Sequence, residues 1–270
     1  MKIKKLILTC FLIVLFASCR KDETYKKFLT DDTSLAKVLV AGKLRVGVHP
    51  GFPPLCFSGS KGNLEGFDLD ILSAVTDYMG IEIEFIKIDW GDKFDLLNDD
   101  KIDCVASGFS ITPEREKVYE LTKPYFKNAQ VIVVRADETI KTLEDLNGKI
   151  IGGQSGTFGM DIVDKYLKNN VGKIKQYSEQ THILSDLKTR DIDACITDLC
   201  VIAYVMQQEP DTYRILEMCL ASDSYAYAFK KGAVSLKREI ETVLIELDKT
   251  DVLEKISRKW FGANGIIIGR

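Results

Sequence analysis

Residues 69–86, LDILSAVTDYMGIEIEFI, carry the pattern that decides the fold. Apolar residues recur at 71, 72, 75 and 79 with the spacing of one helix face, and Gly80 follows where a helix would end in the left-handed conformation. Residues 81–86 then alternate apolar side chains with glutamate, as a strand does. Helices and strands alternate in the same way along the chain, which predicts an α/β fold with a parallel-rich sheet.

A weak internal repeat indicates that the chain builds a similar α/β lobe twice. KIDCVA at 101–106 and DIDACI at 191–196 both follow helical stretches, and both lead from a short apolar strand into a polar loop. Ile-Asp pairs are common, so coincidence is the alternative explanation. Two apolar runs, 129–134 and 225–229, are predicted to cross between the lobes. The predicted bounds are 35–130 with 225–270 for lobe 1, and 131–224 for lobe 2.

The N-terminal segment has the pattern of a cleavable export signal. Three lysines among residues 2–5 precede a run of apolar or small residues from 6 to 18. This run is shorter than the roughly 20 apolar residues that a membrane-spanning helix needs, and no later segment approaches that length. We therefore predict a signal peptide at residues 1–18 and a folded part outside the cytoplasm.

Cys19 is the predicted site of lipidation. Residues 16–19, FASC, resemble a lipobox, in which the cysteine becomes the acylated first residue of a lipoprotein. An ordinary signal peptide cut nearby is the alternative. Residues 19–34 are charged and poor in large apolar side chains, which predicts a flexible tether. Acyl chains such as palmitate would then attach the protein to a membrane, in the periplasm or at the cell surface.

Composition and charge are those of an ordinary globular protein and argue against nucleic-acid binding. Hydrophobic residues make up 46% of the chain and charged residues 29%, which are average values. The signal segment contains three of the 37 basic residues and none of the 40 acidic ones, so the remaining chain has a net charge of about −6. We expect no basic surface that could bind nucleic acid.

The cysteines indicate neither a metal site nor a disulfide framework. Of the seven, Cys10 lies in the signal segment and Cys19 is the predicted lipid site. The other five lack CxxC spacing, and their odd number argues against a zinc site: Cys56, Cys104, Cys195, Cys200 and Cys219. Cys104 and Cys195 lie in apolar runs, where a free cysteine packs as a small core residue. We expect buried thiols, no metal and no cofactor.

Seven short motifs in a fixed order resemble those of one protein family. They are GKLRVG at 42–47, FPP at 52–54, GFDLD at 66–70, SITPER at 110–115, GT at 156–157, DACITD at 193–198 and KWF at 259–261. This order is similar to that of the family 3 extracellular solute-binding proteins, which serve polar amino-acid ABC importers. The resemblance implies a type II periplasmic-binding-protein fold, in which two α/β lobes joined by a two-strand hinge enclose a free amino acid. It also implies a monomer without enzymatic activity that delivers its ligand to an ABC permease in the cytoplasmic membrane.

Arg115 is the candidate that would bind the carboxylate of such a ligand. Arginine pairs with a carboxylate through two parallel hydrogen bonds, and Arg115 matches the carboxylate-binding arginine of the family. Thr157 and the amide nitrogens around Phe158 stand at a predicted helix N-terminus and would donate to the same carboxylate from the other lobe. The alternative for Arg115 is a solvated surface charge.

Asp198 is the candidate that would bind the ligand's ammonium. It directly follows the predicted strand 194–197 and corresponds to the ammonium-binding acid of the family. The alternative is that it caps the next helix, 199–207. The resemblance implies further contacts, with Ser107, Gly108 and Ser110 beside the ammonium and with Phe52 and Trp90 on either side of the ligand side chain. Packing in the core is the alternative for both aromatics.

His49 and Phe158 bear on the choice of ligand. His49 stands where binders of cationic amino acids carry an acid, and Phe158 replaces a small polar residue of the family pattern. A buried cationic side chain without a partner is strongly disfavoured. We therefore expect a neutral or polar amino acid such as glutamine or cystine ahead of glutamate, for which His49, Gln154 or Ser155 could supply a partner. We expect arginine to bind less tightly than either.

An enzyme on the same fold, resembling the cyclohexadienyl dehydratases, is the alternative function. Such an enzyme needs a general acid to expel water from a ring substrate that carries a carboxylate. Glu179 and His182 are the only candidates for that acid, in a segment that could face the cleft. A binding protein is the preferred interpretation.

Overall fold

The computed structural model describes residues 32–268. The predicted signal peptide, the lipidation site Cys19 and most of the predicted tether lie outside the described residues. Within residues 32–268, no helix is both long and apolar enough to cross a membrane.

Helices and strands alternate along the described residues, as the sequence predicts. The strands are β1 (Lys43–Val48), β2 (Gly51–Phe52), β3 (Cys56–Ser58), β4 (Leu64–Glu65), β5 (Glu82–Lys87), β6 (Cys104–Ser110), β7 (Tyr119–Leu121), β8 (Phe126–Arg135), β9 (Ile150–Gln154), β10 (Lys173–Tyr177), β11 (Ala194–Asp198) and β12 (Tyr213–Lys230). The helices are α1 (Ser34–Ala41), α2 (Phe67–Met79), α3 (Lys93–Asn98), α4 (Pro113–Val118), α5 (Phe158–Ile162), α6 (Gln180–Thr189), α7 (Leu199–Gln208), α8 (Val234–Asp248) and α9 (Val252–Phe261). Short 3-10 turns cover Trp90–Asp92 and Glu144–Leu146, and a π-helical turn, Val163–Leu167, continues α5.

The stretch that decides the fold forms the predicted helix and strand. α2 buries Phe67, Ile71, Leu72 and Val75 on its inner face. It ends at Gly80, whose φ of 69° is the left-handed C-cap conformation that glycine adopts without steric cost. β5 then pairs in parallel with β1. Helix α2 therefore lies on the connection between two neighbouring parallel strands of one sheet.

The strands form one large sheet and one small sheet. The order in the large sheet is β10-β9-β11-β8-β12-β6-β1-β5, and β7 pairs with β12. β9 is parallel to β10 and β11, and β1 is parallel to β5 and β6. The small sheet contains β2, β3 and β4 in antiparallel pairs. The parallel-rich α/β fold predicted from the sequence is confirmed.

Two long strands, β8 and β12, join the two halves of the large sheet. The first lobe contains β1, β5 and β6, and the second lobe contains β9, β10 and β11. β8 and β12 pair antiparallel, and β12 continues beyond Tyr225 to pair with β6 and β7 of the first lobe. β8 also pairs with β11 of the second lobe. The predicted crossing runs, 129–134 and 225–229, lie within these two strands.

Each lobe has its own hydrophobic core. In the first lobe, β1, α2 and α8 share one core. In the second lobe, successive residues of β8 face opposite sides of the sheet, so Ile132 belongs to one core and Val133 to another. Helix α7 packs against both lobes, because Val201 is part of the first-lobe core and Ile202 is part of a second-lobe core. The residue bounds of the lobes stay a prediction.

Candidate ligand-binding site

A narrow cavity between the lobes brings together all ten residues that the sequence analysis assigned to a ligand site. It is lined by His49, Phe52, Trp90, Ser107, Gly108, Ser110 and Arg115 from the first lobe and by Gln154, Thr157, Phe158 and Asp198 from the second. Several of them lie at or just beyond the C-terminal ends of β1, β6, β9 and β11, which is where open α/β sheets place their ligands. The contact of these residues with a ligand stays a prediction.

Arg115 is buried and lines this cavity. Thr112 caps α4 by accepting a hydrogen bond from the backbone nitrogen of Arg115 at 3.2 Å, and Pro113 begins the helix. The guanidinium donates to the carbonyl of Ser110 at 2.9 Å and, across the cavity, to the carbonyl of Gly156 at 3.3 Å. Because the residue is only 8% exposed, the alternative of a solvated surface charge is wrong.

The charge of Arg115 has no acidic partner among the described residues that is close enough for an ion pair. Burial lowers the pKa of Arg115, and the more distant acids Asp161, Asp223 and Asp198 counteract that effect. The guanidinium carbon lies 4.6 Å from the ring centroid of Phe109. A buried cation in this situation is stabilised by an anion that enters the cavity.

Asp198 presents a carboxylate with one oxygen engaged by the protein. Its Oδ1 accepts hydrogen bonds from the Tyr225 hydroxyl at 2.6 Å, the Asn128 amide at 2.6 Å and the Gln130 amide at 2.7 Å. Asp198 stands at the N-cap position of α7, as the alternative interpretation expects, but its side chain makes no capping hydrogen bond to that helix. Burial, followed by the negative charge of Asp223, raises the pKa of Asp198 to about 7.

Asp223 is a second acid at this place, and the sequence analysis missed it. Its Oδ2 accepts hydrogen bonds from the Ser110 hydroxyl at 2.8 Å, the Gln130 amide at 3.0 Å and the Asn128 amide at 3.3 Å. Asn128 and Gln130 therefore donate to both carboxylates. Burial raises the pKa of Asp223 as well. An isolated aspartate in the middle of a long strand gave no signal of this role.

The backbone of β6 takes an unusual path at Ser107 and Gly108, where a buried carboxylate holds it. Their φ angles are 77° and 69°, and both N–H groups donate to Oδ2 of Asp68, at 2.8 and 2.9 Å. Burial raises the pKa of Asp68 to about 6. The Ser107 hydroxyl in turn accepts a hydrogen bond from the backbone nitrogen of His49 at 3.0 Å, so it too is engaged within the protein. A Cβ atom at Gly108 would lie 2.8 Å from Phe52, so glycine is needed there.

His49 faces the second lobe through its Nε2 atom. This atom lies 3.0 Å from Nε2 of Gln154 and 3.4 Å from Oε2 of Glu179. An acid of the second lobe thus lies beside the position at which the sequence has His49 in place of an acid. Ser155, the other candidate partner, does not line the cavity. Its hydroxyl donates to the side chain of Gln176 at 3.1 Å.

Lys93 is a buried cation that the sequence analysis also missed. The residue is 1% exposed, and its ammonium donates to the carbonyl of Trp90 at 2.8 Å and to the carbonyl of Gly156 at 3.2 Å. Burial, with a smaller contribution from Arg115, lowers the pKa of Lys93 to about 7. Nothing in the sequence of its short helix distinguished this lysine from a solvated one.

The aromatic residues and the start of α5 complete the lining. Phe52 and Trp90 are 6% and 7% exposed and border the cavity, so each also serves as a core aromatic. The predicted helix N-terminus is present, since α5 begins at Phe158. The Thr157 hydroxyl caps this helix and donates to the carbonyl of Gln154 at 2.7 Å, so it is already engaged within the protein.

Within residues 32–268 the cysteines neither pair nor form a metal site. All five of them are free, and no three metal-ligating side chains come together there. Cys104 and Cys195 are fully buried in β6 and β11, as the sequence analysis predicted.

The cavity combines a buried cation on one side with buried acids on the other. Arg115 and Asp198 line the same space, and among the described residues neither has an ion-pair partner. Such an arrangement complements a small molecule that carries both charges. Two α/β lobes joined by two strands, with a polar and aromatic cavity between them, define the class of solute-binding proteins.

Comparison with known proteins identifies the family. The family described as bacterial extracellular solute-binding proteins, family 3, matches residues 44–263. The chain belongs to this family, and the resemblance inferred from the seven motifs is confirmed. Because this is a family of extracellular proteins, the chain functions outside the cytoplasm.

Individual relatives agree with this assignment. The L-cystine-binding protein TcyJ of Escherichia coli strain K12 is 29% identical over 88% of this chain and 90% of its own length. The structure of Tv2483 bound to L-arginine has a TM-score of 0.85 and 33% identity, and covers 88% of this chain and 98% of that one. A substrate-binding protein of a Streptococcus pneumoniae ABC uptake transporter with bound histidine has a TM-score of 0.84 and 29% identity, and covers 87% and 98%. These similarities confirm the type II periplasmic-binding-protein fold.

The chain is a binding protein rather than an enzyme, because the relatives it matches are binding proteins. The two candidate general acids of the dehydratase alternative are also poorly placed to act on a molecule in the cavity. His182 is exposed, and Glu179 does not line the cavity.

Proposed function

We propose that this protein captures a free amino acid between its two lobes and delivers it to an ABC permease in the cytoplasmic membrane. In this proposal Arg115 binds the ligand carboxylate and Asp198 binds the ligand ammonium. The observation that carries the proposal is the burial of these two opposite charges around one cavity, without ion-pair partners among residues 32–268. Relatives that bind cystine, arginine and histidine support an amino acid as the ligand class.

The energetics of the cavity favour a zwitterion. A buried charge without a partner is strongly destabilised, and a ligand that supplies both missing charges relieves two such penalties at once. Arginine offers two parallel donors to a carboxylate, although both nitrogens of Arg115 now donate to carbonyl groups. One of those carbonyls, that of Gly156, belongs to the second lobe. A ligand carboxylate would therefore bind where the two lobes meet.

The remaining lining residues would shape the ligand's surroundings. Phe52 and Trp90 would pack against its side chain, and Gly108 leaves the space that Phe52 occupies. The amide nitrogens at the start of α5, around Phe158, would donate to the carboxylate. The Thr157 hydroxyl would join them only by giving up its bond to the carbonyl of Gln154.

A neutral or polar side chain, as in glutamine or cystine, is the ligand type that we propose first. His49 and Gln154 offer polar atoms without a fixed charge beside the cavity. Glutamate ranks next and arginine last. Two observations favour arginine instead: Glu179 lies 3.4 Å from His49, and Tv2483 was solved with that ligand.

We further propose the lobe bounds 35–130 with 225–270, and 131–224. The separate hydrophobic cores support this division. Besides β8 and β12, helix α7 contacts both lobes, through Val201 and Ile202.

The attachment and oligomeric state complete the proposal. Removal of residues 1–18 would leave Cys19 as a lipid-bearing first residue, with residues 19–34 as the tether. The protein would be a monomer held on a membrane surface in the periplasm or at the cell surface. The lipobox-like FASC at residues 16–19 supports the anchor.

A thermal-shift screen tests the proposed function. The chain without its signal segment is heated with each of the twenty amino acids and with cystine, and at least one of them is expected to raise the melting temperature by several degrees. Two analogues of the best amino acid serve as controls: its methyl ester lacks the carboxylate charge, and its α-hydroxy acid lacks the ammonium. Both should lose the stabilisation. A screen in which no amino acid stabilises the protein would contradict the proposal.

A further inference from the structure

Two buried carboxylates, those of Asp198 and Asp223, are held together by shared donors. The Asn128 amide lies 2.6 Å from Asp198 and 3.3 Å from Asp223, and the Gln130 amide lies 2.7 and 3.0 Å from them. Within residues 32–268, the three hydrogen bonds that the Asp198 side chain accepts all go to Oδ1, which leaves Oδ2 for a proton or a ligand. The residues are 6% exposed in both cases, so solvent screens their mutual repulsion poorly.

No cation offsets this pair at close range among the described residues. The other titratable or charged groups that face it are Tyr225, Cys200 and Arg115, with Asp68 beyond Cys200 and with Asp161 and Lys93 beyond Arg115. Burial raises the pKa of both Tyr225 and Cys200 well above the ordinary range, so these two groups stay neutral near pH 7. Two like charges at such a place do not both ionise freely, and a pair of this kind titrates as a unit.

We propose that Asp223 is a positioning residue of the ammonium subsite, and that with Asp198 it forms an acid pair which holds a proton when the site is empty and releases it when the ligand's ammonium binds. This inference rests on the proposed function. In the release step the O–H bond of the protonated Asp198 breaks and the proton passes to solvent. The ligand nitrogen keeps its own three protons, and Asp198 Oδ2 then accepts a hydrogen bond from it.

The acid pair has a consequence for affinity. Because burial and the charge of Asp223 raise the pKa of Asp198 to about 7, the empty site is largely protonated at pH 6 and largely ionised at pH 8. Affinity for an amino acid should therefore rise between these pH values by up to about tenfold per pH unit, the limit for release of one proton. With the charge of Asp223 removed, the titration of Asp198 should move to lower pH and the dependence should flatten.

Calorimetry at about pH 6 and about pH 8, in phosphate and in imidazole buffer, counts the protons released on binding. The probe is the amino acid with the largest shift in the screen, with L-glutamine as the first choice. Wild type should release more protons at pH 6 than Asp223→Asn does, by a factor of about two or more. Asp161→Asn removes an acid that faces Arg115 but not the pair, and it should match wild type.

The outcomes separate cleanly. Equal proton release by wild type and Asp223→Asn at pH 6 overturns the inference, because the contribution of Lys93 is present in both proteins. An absence of binding by any amino acid instead contradicts the proposed function. If Asp223→Asn does not fold, carbon-13 NMR of wild type labelled at the aspartate carboxyl carbons decides the matter. An aspartate that titrates near pH 7 only without amino acid is expected, and its absence overturns the inference.

Discussion

Lys93 and Arg115 donate hydrogen bonds to the same atom, the carbonyl oxygen of Gly156, from nitrogens 3.2 and 3.3 Å away. The two cations belong to the first lobe, and Gly156 follows β9 in the second lobe. Two positive charges thus meet one neutral acceptor where the lobes touch. Since like charges in a buried place repel each other, an anionic group of a ligand should stabilise this contact.

Lys93→Met should raise the stability of the protein at pH 7 and flatten its dependence on pH. Burial lowers the pKa of Lys93 to about 7, whereas an unfolded chain keeps its lysines protonated up to about pH 10. Between these values the unfolded state binds more protons, so the free energy of unfolding rises with pH in wild type. Methionine has no charge to desolvate, and we expect a gain of about 2 kcal/mol at pH 7, or about 5 °C.

Thermal denaturation between about pH 6.5 and pH 9.5 measures this effect. Lys188→Met serves as the matched control, because the side chain of Lys188 is 57% exposed and its removal should change little. Parallel melting curves of wild type and Lys93→Met across this range would show that Lys93 does not titrate as described.

Arg115→Ala should weaken amino-acid binding by roughly 2 to 5 kcal/mol, or about thirtyfold to several thousandfold. The physical reason is that a ligand carboxylate would be buried without its charged partner. Arg115→Lys keeps the charge but not the two parallel donors, so its affinity for the amino acid should lie between those of wild type and Arg115→Ala. Calorimetric titration gives the affinities, and Arg190→Ala, at an exposed position, provides the control. Near-native binding by Arg115→Ala would show that another residue binds the carboxylate.

The sequence predicted the fold because its local patterns agree with the structure over long stretches. Apolar spacing and Gly80 located α2 and β5. The family resemblance that the ordered motifs carry pointed to ten residues that line one cavity, five of them within the motifs themselves. The crossing strand β12 was predicted only over 225–229. Its preceding residues include charged positions such as Glu217 and Asp223, which interrupt the apolar pattern although the strand begins at Tyr213.

Three of the buried charges, Asp68, Asp223 and Lys93, could not be predicted, because each has a hydrogen-bond partner far away in the sequence. Asp223 accepts from Ser110, 113 positions earlier, and Asp68 accepts from backbone groups 39 and 40 positions later. An isolated charged residue is most often solvated, and only the folded structure shows which ones have enough donors to be buried. Lys93 is the same case, with Gly156 63 positions away.

Cys19→Ser should abolish lipidation. A lipobox cysteine provides the only sulfur to which the anchor would be attached, and serine at that position would leave the protein without acyl chains. Metabolic labelling with a palmitate analogue should disappear, and the product should no longer partition into detergent. Cys10→Ser, within the signal segment, should keep its label. Unchanged labelling of Cys19→Ser would refute the lipoprotein assignment.

Competition binding should rank glutamine, cystine or another neutral polar amino acid above glutamate, and glutamate above arginine. The backbone charges of the ligand would be met by Arg115 and Asp198, so a cationic side chain needs a third charged partner. Glu179 is the acid that could serve, but its side chain is 34% exposed and lies 3.4 Å from His49 Nε2. Solvent and the neighbouring imidazole therefore weaken the attraction between the Glu179 carboxylate and a buried guanidinium of the ligand.

Glu179→Gln separates the two ligand classes. The change should weaken arginine binding by about tenfold while glutamine binding stays within about threefold, because only the cationic side chain depends on the carboxylate. Glu209→Gln, which alters an acid paired with Lys188 on the surface, should leave both affinities unchanged. If wild type holds arginine or lysine more tightly than every neutral amino acid, the proposed side-chain preference is wrong, and the carboxylate of Glu179 rather than the imidazole of His49 sets the specificity of the cavity.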